Sequence, residues 1–363
     1  MSVLALISGH GFGHWTRSEA VLSRLATRRE VHVRTEGRAA LLARRAAWAA
    51  STGALDLGPG AAQEGPLAID RAATLRGWQA HLERFDETLA AAAADARARG
   101  VRLVYADAPP LGPALAAALG VPCVVVANFS WSWILADYVT REPGFAPVVA
   151  ALRAAEGQAT HLVALAGGGG LEAFGAPVLE TLLRRRPTCD EAEARRRLRA
   201  EVEARGVEVR RRPIVLVAFG GFGDTLDLGQ AAAAHPAQVF VSFTGEGPGP
   251  ENLARLAHDH GLGFQDLVFG ADAVITKPGY GIVSEAANRP TPLVWSEPNP
   301  DFREHAVLAR CIERWLPHAP LTREELLAGR WAEALRTALG ASPVEPAPAN
   351  GVDAILAVLA DLR

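Results

Sequence analysis

Lysine is almost missing from this chain: Lys277 is the single lysine among 37 basic residues, and every other one is arginine. Arginine is a rigid planar fork and lysine a compact, mobile point charge, so the two are not interchangeable. Cysteine is scarce too. Cys123, Cys189 and Cys311 are far apart and show no metal-ligand spacing, which predicts reduced thiols in a cytoplasmic protein. No strong positive charge is present: the net charge is −3 and no basic tail occurs, so nothing supports nucleic-acid binding. The start, Met-Ser-Val-Leu-Ala-Leu-Ile-Ser-Gly, lacks a basic n-region, and its apolar run is too short for a signal peptide.

The stretch Leu111–Ala136 has no charged residue and is long enough to span a bilayer. Gly120-Val-Pro122 interrupts it, and Asn128, Ser130 and Ser132 punctuate its second half. Helix, turn, buried strand and loop is the better division, and no transmembrane segment is expected; a peripheral membrane contact stays open.

With 363 residues, 49% hydrophobic and 21% charged, the chain has the length and composition of two globular domains. Short β-branched runs alternate with alanine-rich helical patterns, which predicts parallel sheets with crossover helices. Strands are expected near Val3–Ile7, Val31–Arg34, Val101–Tyr105, Cys123–Ala127, His161–Ala164, Ile214–Ala218, Val239–Phe243, Ala273–Ile275 and Pro292–Trp295. Helical patterns include Leu75–Arg99, Asn252–His260, Ile282–Asn288, Arg303–Ile312 and Arg323–Ala338. The four-glycine run Gly167–Gly170 and the basic, proline-ended Leu183–Pro187 look like a joint. Thr188 with Glu191 has a capping-box spacing for a charged helix over Cys189–Ala204. The Arg195–Arg199 cluster on that helix, balanced by glutamates, reads as a solvated face. These marks give one domain over 1–180, a second over 188–350, and a last amphipathic helix over 352–362.

Five segments carry chemistry. Ser8-Gly9-His10-Gly11-Phe12-Gly13-His14-Trp15-Thr16-Arg17 follows the first strand, and its alternate glycines let backbone N–H groups approach a ligand. It is not a dinucleotide fingerprint, because His14 and Trp15 break the spacing to a third glycine. The two histidines suit general-base work, or they simply cap the next helix. Gly220, Gly221, Phe222 and Gly223 form a second loop after a strand, opening the second half. Thr-Lys-Pro-Gly-Tyr-Gly-Ile-Val-Ser-Glu-Ala, residues 276–286, places Lys277 in a glycine-rich turn before a helix, where phosphate binds in α/β proteins. Glu285 can accept both hydroxyls of a ribose there, or only complement the helix dipole. Asp107 leaves the carboxyl end of a strand, the ligand edge of an open α/β sheet. Asn128-Phe-Ser-Trp131-Ser-Trp133 also sits at a strand end, where its aromatics stack on a substrate or pack in the core.

Taken together, GHGFGHWTR, the Asp107-x-x-Pro turn, NFSWSWI, VAFGGFG and KPGYGIVSEA resemble the glycosyltransferase-like domains related to that of L-arabinokinase, over nearly the whole chain. More distantly the pattern is similar to the peptidoglycan N-acetylglucosaminyltransferase and the diacylglycerol galactosyltransferases. The resemblance implies a GT-B fold, with two Rossmann-like domains facing each other across a cleft. It implies a metal-independent, inverting transfer of a sugar from a nucleotide donor, UDP-linked by analogy, to an acceptor hydroxyl. No cofactor is expected, because the nucleotide sugar is a substrate.

By the same resemblance His14 is the candidate base; Asp107, from its own place at a strand end, is the group expected to orient it. The donor would meet Gly220, Gly221, Phe222, Gly223, Lys277, Gly279, Tyr280, Gly281, Ser284, Glu285 and Glu304. The acceptor would meet His10, Gly11, Phe12, Gly13, Asn128 and Trp131. Phe302 and Glu304 fall where related enzymes place polar groups against the sugar, but Asp301-Phe-Arg-Glu304 departs from the usual Asp-Gln pair. A non-hydrolysing UDP-sugar 2-epimerase and a non-catalytic nucleotide-sugar-binding module share the architecture and stay open. The sugar, the acceptor and the oligomeric state are not encoded legibly.

Overall fold

The computed structural model describes residues 1–10, 12–37, 43, 46–63, 68–219, 226–243, 249–256 and 261–362. The expected loop residues Gly11, Gly220, Gly221, Phe222 and Gly223 lie outside these. In chain order the first half contains β1 (Ser2–Ile7), α1 (Phe12–Leu25), β2 (Glu30–Thr35), β3 (Ser51–Gly53), α2 (Arg71–Glu83) and α3 (Phe85–Ala98). It continues with β4 (Val101–Asp107), α4 (Leu111–Leu119), β5 (Cys123–Phe129), α5 (Trp131–Ala136), α6 (Phe145–Glu156), β6 (His161–Gly169) and β7 (Pro177–Thr181). The second half contains α7 (Glu191–Glu203), β8 (Ile214–Ala218), α8 (Leu228–Ala233), β9 (Val239–Ser242), β10 (Leu253–Arg255) and α9 (Phe264–Gly270). Then come β11 (Ala273–Thr276), α10 (Tyr280–Ala286), β12 (Leu293–Ser296), α11 (Arg303–Trp315), β13 (His318–Leu321), α12 (Arg323–Leu327), α13 (Ala332–Gly340) and α14 (Val352–Asp361).

Two parallel sheets result. The first has the order β3-β2-β1-β4-β5-β6-β7 and the second β10-β9-β8-β11-β12-β13. Helices cover both faces, so the central strands are apolar on both sides. Along β1 the side chains alternate: Val3, Ala5 and Ile7 enter one core and Leu4 and Leu6 the other. Strand order reverses direction between β1 and β4 and again between β8 and β11. Crevices open at the carboxyl ends of strands at such switch points. The register Ile7↔Asp107 places the loop after β1 beside Asp107. The register Thr276↔Ala218 likewise places the Lys277–Gly281 turn beside the end of β8.

The chain crosses between the two sheets twice, side by side. Leu182 bridges to Asn350, Gly351 N donates to Leu182 O at 2.8 Å, and Asn350 Nδ2 donates to Arg184 O at 2.8 Å. After the second crossing, Val352, Ile355 and Leu359 of α14 enter the core of the first sheet. Arg24 of α1 pairs with Asp353 at 2.6 Å.

Several expectations need correcting. Gly167–Gly169 belong to β6, and the glycine run makes room for an aromatic ring: a Cβ at Gly169 would stand 2.5 Å from Trp133 Cζ2. Asp190, not Thr188, caps α7, accepting from Glu193 N. Thr188 is taken by Asp266, to which its N and Oγ1 donate at 2.7 and 2.8 Å. The expected helix over Asn252–His260 begins as strand β10, parallel to β9. Asn252 is committed there, its Nδ2 donating to the carbonyls of Ala232, His235 and Gln238. The stretch Leu75–Arg99 breaks at Arg84 into α2 and α3, and Arg323–Ala338 into α12 and α13. Among the described residues no helix is long and apolar enough to cross a membrane; Leu111–Ala136 folds as α4, β5 and α5.

Candidate functional site

The amino end of α1 and the end of β4 meet in one buried network. Asp107 is fully buried. Its Oδ1 lies 2.8 Å from His14 Nδ1 and accepts from Arg17 Nη2; its Oδ2 accepts from Arg17 Nε at 2.8 Å and Ser18 Oγ at 2.6 Å. Arg17 Nη1 donates to Asn128 Oδ1, and Tyr105 OH donates to Ser18 Oγ at 3.3 Å. His14 and Arg17 are three apart on α1, so helical geometry puts both on the face toward β4. Ala108, next to Asp107, has φ 71, a left-handed conformation uncommon for alanine, and it turns the chain immediately after the carboxylate.

The electrostatics follow from burial and pairing. Burial alone would raise the Asp107 pKa, but Arg17 and His14 outweigh it and hold the carboxyl far below the ordinary range. Burial first, then the Arg17 charge, lower the His14 pKa, against the pull of Asp107. Burial and Arg17 thus both disfavour the protonated ring. Phe129 meets its ring edge-on at 5.9 Å.

Across the cleft lies the turn after β11. Gly279 caps α10 in an extended conformation, and Gly281, Ser284 and Glu285 face Gly13, Thr16 and Arg17. A Cβ at Gly281 would stand 3.9 Å from Gly13 Cα. Leu183, Arg184 and Arg185 of the first crossing line the same cleft, whose volume is ≈ 270 Å³ including the part open to solvent. Glu285 is 4% exposed, and its Oε2 has no hydrogen-bond partner. Burial pushes its pKa up to about 7, with Arg185 opposing. A buried carboxylate without a partner is costly, and one aimed into a cleft fits a pair of ligand hydroxyls. Tyr280 OH is likewise buried without a partner, and the ring stacks on Phe129 at 5.9 Å.

Lys277 lies elsewhere. Its Nζ is 5.3 Å above the Phe302 ring, and its charge acts on Glu304 and His305. Phe302 enters an aromatic cluster of the first domain with Phe129, Trp131 and Tyr138. Asp301 beside it bonds Arg71 Nη1 at 2.7 Å and Arg141 Nη1 at 3.4 Å, and its carbonyl accepts from Tyr138 OH at 2.9 Å. Arg303 donates to Trp133 O and stacks on that ring at 4.4 Å. The 301–303 segment thus straps the second domain to the first. His10 meets Trp131 edge-on at 5.5 Å, and Phe12 is exposed at the start of α1.

The structure therefore joins His14, Asp107 and Asn128 through Arg17, and sets Gly13 against Gly281, Ser284 and Glu285. Glu304 and Lys277 sit together at the strap end. Arg17, Ser18, Arg184 and Arg185 were not singled out from the sequence. The three-residue spacing from His14 to Arg17 was the available signal for the first.

No protein-family model matches the chain. L-arabinokinase of Arabidopsis thaliana is 27% identical over 375 residues, covering 95% of this chain and 33% of the kinase, so the chain spans about one third of that relative. The calicheamicin glycosyltransferase CalG4 superposes with TM-score 0.61 at 18% identity, covering 93% of this chain and 89% of that one. MurG of Acinetobacter baumannii gives 0.58 at 14% identity, covering 99% of both chains. The glycosyltransferase VinC, in complex with DTDP, gives 0.57 at 17%, covering 99% of this chain and 100% of its own.

The fold is GT-B.

In this GT-B chain the two switch points face each other: His14 and Asp107 lie on one wall, and Gly281 and Glu285 on the other. Among the described residues no group of three His, Cys, Asp or Glu side chains is arranged to hold a metal ion.

Proposed function

We propose that this protein transfers a sugar from a nucleoside diphosphate donor to an acceptor hydroxyl. The observation that carries the reading is the unpartnered, buried Glu285 carboxylate in the cleft opposite the His14–Asp107–Arg17 network. Glu285 would accept the two ribose hydroxyls, which restores the hydrogen bonds that burial removes. Positive charge for the diphosphate is close by on Arg184 and Arg185, with backbone N–H groups near Gly281. Arginine forks suit phosphate geometry. The sugar would extend past Tyr280 toward Glu304 and Lys277. VinC, whose structure contains DTDP, and the UDP expected by resemblance make a pyrimidine diphosphate the first donor class to test.

In the reaction, the acceptor oxygen attacks the anomeric carbon and the bond from that carbon to the β-phosphate oxygen breaks. His14 takes the acceptor proton on Nε2 while Nδ1–H donates to Asp107. The nucleoside diphosphate leaves, its charge met by fixed donors without a metal ion. A single direct displacement inverts the anomeric centre. Incubation of the protein with UDP- and TDP-sugars, with and without cell extract, tests this by mass spectrometry. Release of the nucleoside diphosphate only when an acceptor is supplied supports transfer. Conversion of the sugar nucleotide alone would indicate an epimerase, and binding without turnover a non-catalytic module.

A further inference from the structure

We propose that Arg17 is a positioning residue that adds to burial in disfavouring a proton on His14, by cancelling the charge of Asp107 while holding it in place. This rests on the reading of His14 as the base. A buried carboxylate touching an imidazole ordinarily favours the protonated ring, because the charge attracts the extra proton. Here the guanidinium occupies both oxygens of that carboxylate, and Ser18 Oγ adds a third donor. The ring of His14 thus faces a neutral ion pair. Arg17 Nη2 also stands 2.8 Å from His14 Nδ1, as close as Asp107 Oδ1 does.

Other titratable groups also face this corner. Tyr105 lies behind Ser18 and Tyr280 across the cleft, and burial raises both phenol pKa values. Phe129 presents a ring edge. Glu285, Arg184 and Arg185 line the same cleft as Arg17.

Chemistry at the ring depends on this balance. With Asp107 unpaired, a larger share of His14 would hold a proton on each nitrogen and could accept none. With Arg17 in place the ring carries one proton: on Nδ1 toward Asp107 it leaves Nε2 its lone pair, whereas the Arg17 Nη2 contact to the same Nδ1 favours the other tautomer. Lysine would keep the charge, but it lacks the fork that reaches both carboxylate oxygens and Asn128.

Titration of the histidine ring signals by NMR tests this without any substrate, so its failure is separate from failure of the sugar-transfer reading. The His14 signal is assigned by its loss in His14→Gln. In the unaltered protein its midpoint is expected below the ordinary value of about 6.5. Arg17→Gln should raise that midpoint by about one pH unit or more. Arg17→Lys should return it close to the starting value, and the Arg17→Gln/Asp107→Asn double variant should do the same. An unchanged or lowered midpoint in Arg17→Gln overturns the proposal. Should Arg17→Gln not fold, Asp107→Asn decides: it leaves Arg17 unbalanced and must lower the midpoint further, with the double variant restoring it. An unchanged midpoint in Asp107→Asn overturns the proposal equally.

Discussion

Gly13 of the first domain and Gly281 of the second meet across the cleft, and a Cβ at Gly281 would stand 3.9 Å from Gly13 Cα. Each glycine lies in the first turn of the helix at its domain's switch point, so the two walls of the cleft touch here. Alanine at 281 would be in ordinary contact and should leave the melting temperature nearly unchanged. Gly281→Leu should weaken nucleoside diphosphate binding at least tenfold, or about 1.4 kcal/mol, when measured by calorimetry. Equal affinities for the two variants would show that the ligand does not pass this point.

Two buried glutamates should make stability fall as pH rises. Burial pushes Glu285 and Glu156 each up to about 7, and each has an Oε2 without a partner. The unfolded chain ionises them near 4.3. Between that value and about 7 the unfolded state loses protons that the folded state keeps, so stability drops by about 4 kcal/mol per residue and then levels off. Glu285→Gln and Glu156→Gln should therefore match the unaltered protein at pH 4 and exceed it at pH 8 in urea denaturation. No gain at pH 8 would mean that the Oε2 atoms of these carboxylates are solvated or paired.

The strap at 301–303 should hold the domains together weakly and in a salt-sensitive manner. Its Asp301 pairs are partly exposed, and such pairs are worth about 0–1 kcal/mol. Asp301→Ala should enlarge the radius of gyration in small-angle scattering, as should high salt on the unaltered protein. Phe302→Ala, which empties an aromatic site, should add to it. A scattering profile indifferent to both changes would remove the strap as a closing device.

Gly170 has φ +68 and its missing Cβ leaves room for Trp133, whereas Gly175, at φ +95, has open space around it. Gly170→Ala should cost both backbone strain and overpacking, about 2–4 kcal/mol. Gly175→Ala should cost only the backbone share, about 1–3 kcal/mol, because φ 95 with ψ −166 is a region essentially reserved for glycine. Thermal unfolding of the two variants separates these effects.

The central strands were legible because a strand buried on both faces is a short β-branched run bounded by turns; β1, β4, β5, β8 and β11 are of this kind. Strand β13, His-Ala-Pro-Leu, was not, since proline argues against a strand and only its edge position tolerates one. Leu253–Arg255 was misread because three residues before a polar tract carry no period. The segments bearing His14, Asp107 and Glu285 were singled out by their glycines and strand-end positions, and the fold brings His14 and Asp107 to 2.8 Å. The Arg17–Asp107 pairing spans 90 residues, and no local pattern announces it. Lys277 drew attention by its rarity, yet it sits by Phe302, while Arg184 and Arg185, two among many arginines, line the cleft.

Binding of pyrimidine nucleoside diphosphates to the unaltered protein and to Glu285→Ala tests the central claim most directly. If the cleft holds the ribose on Glu285, UDP or TDP at one hundred times its dissociation constant should stabilise the protein by about 2.7 kcal/mol, and Glu285→Ala should abolish most of that shift. Lys277→Ala should weaken it less. Absence of any shift with UDP, TDP and their sugars, or an undiminished shift in Glu285→Ala, would contradict the account.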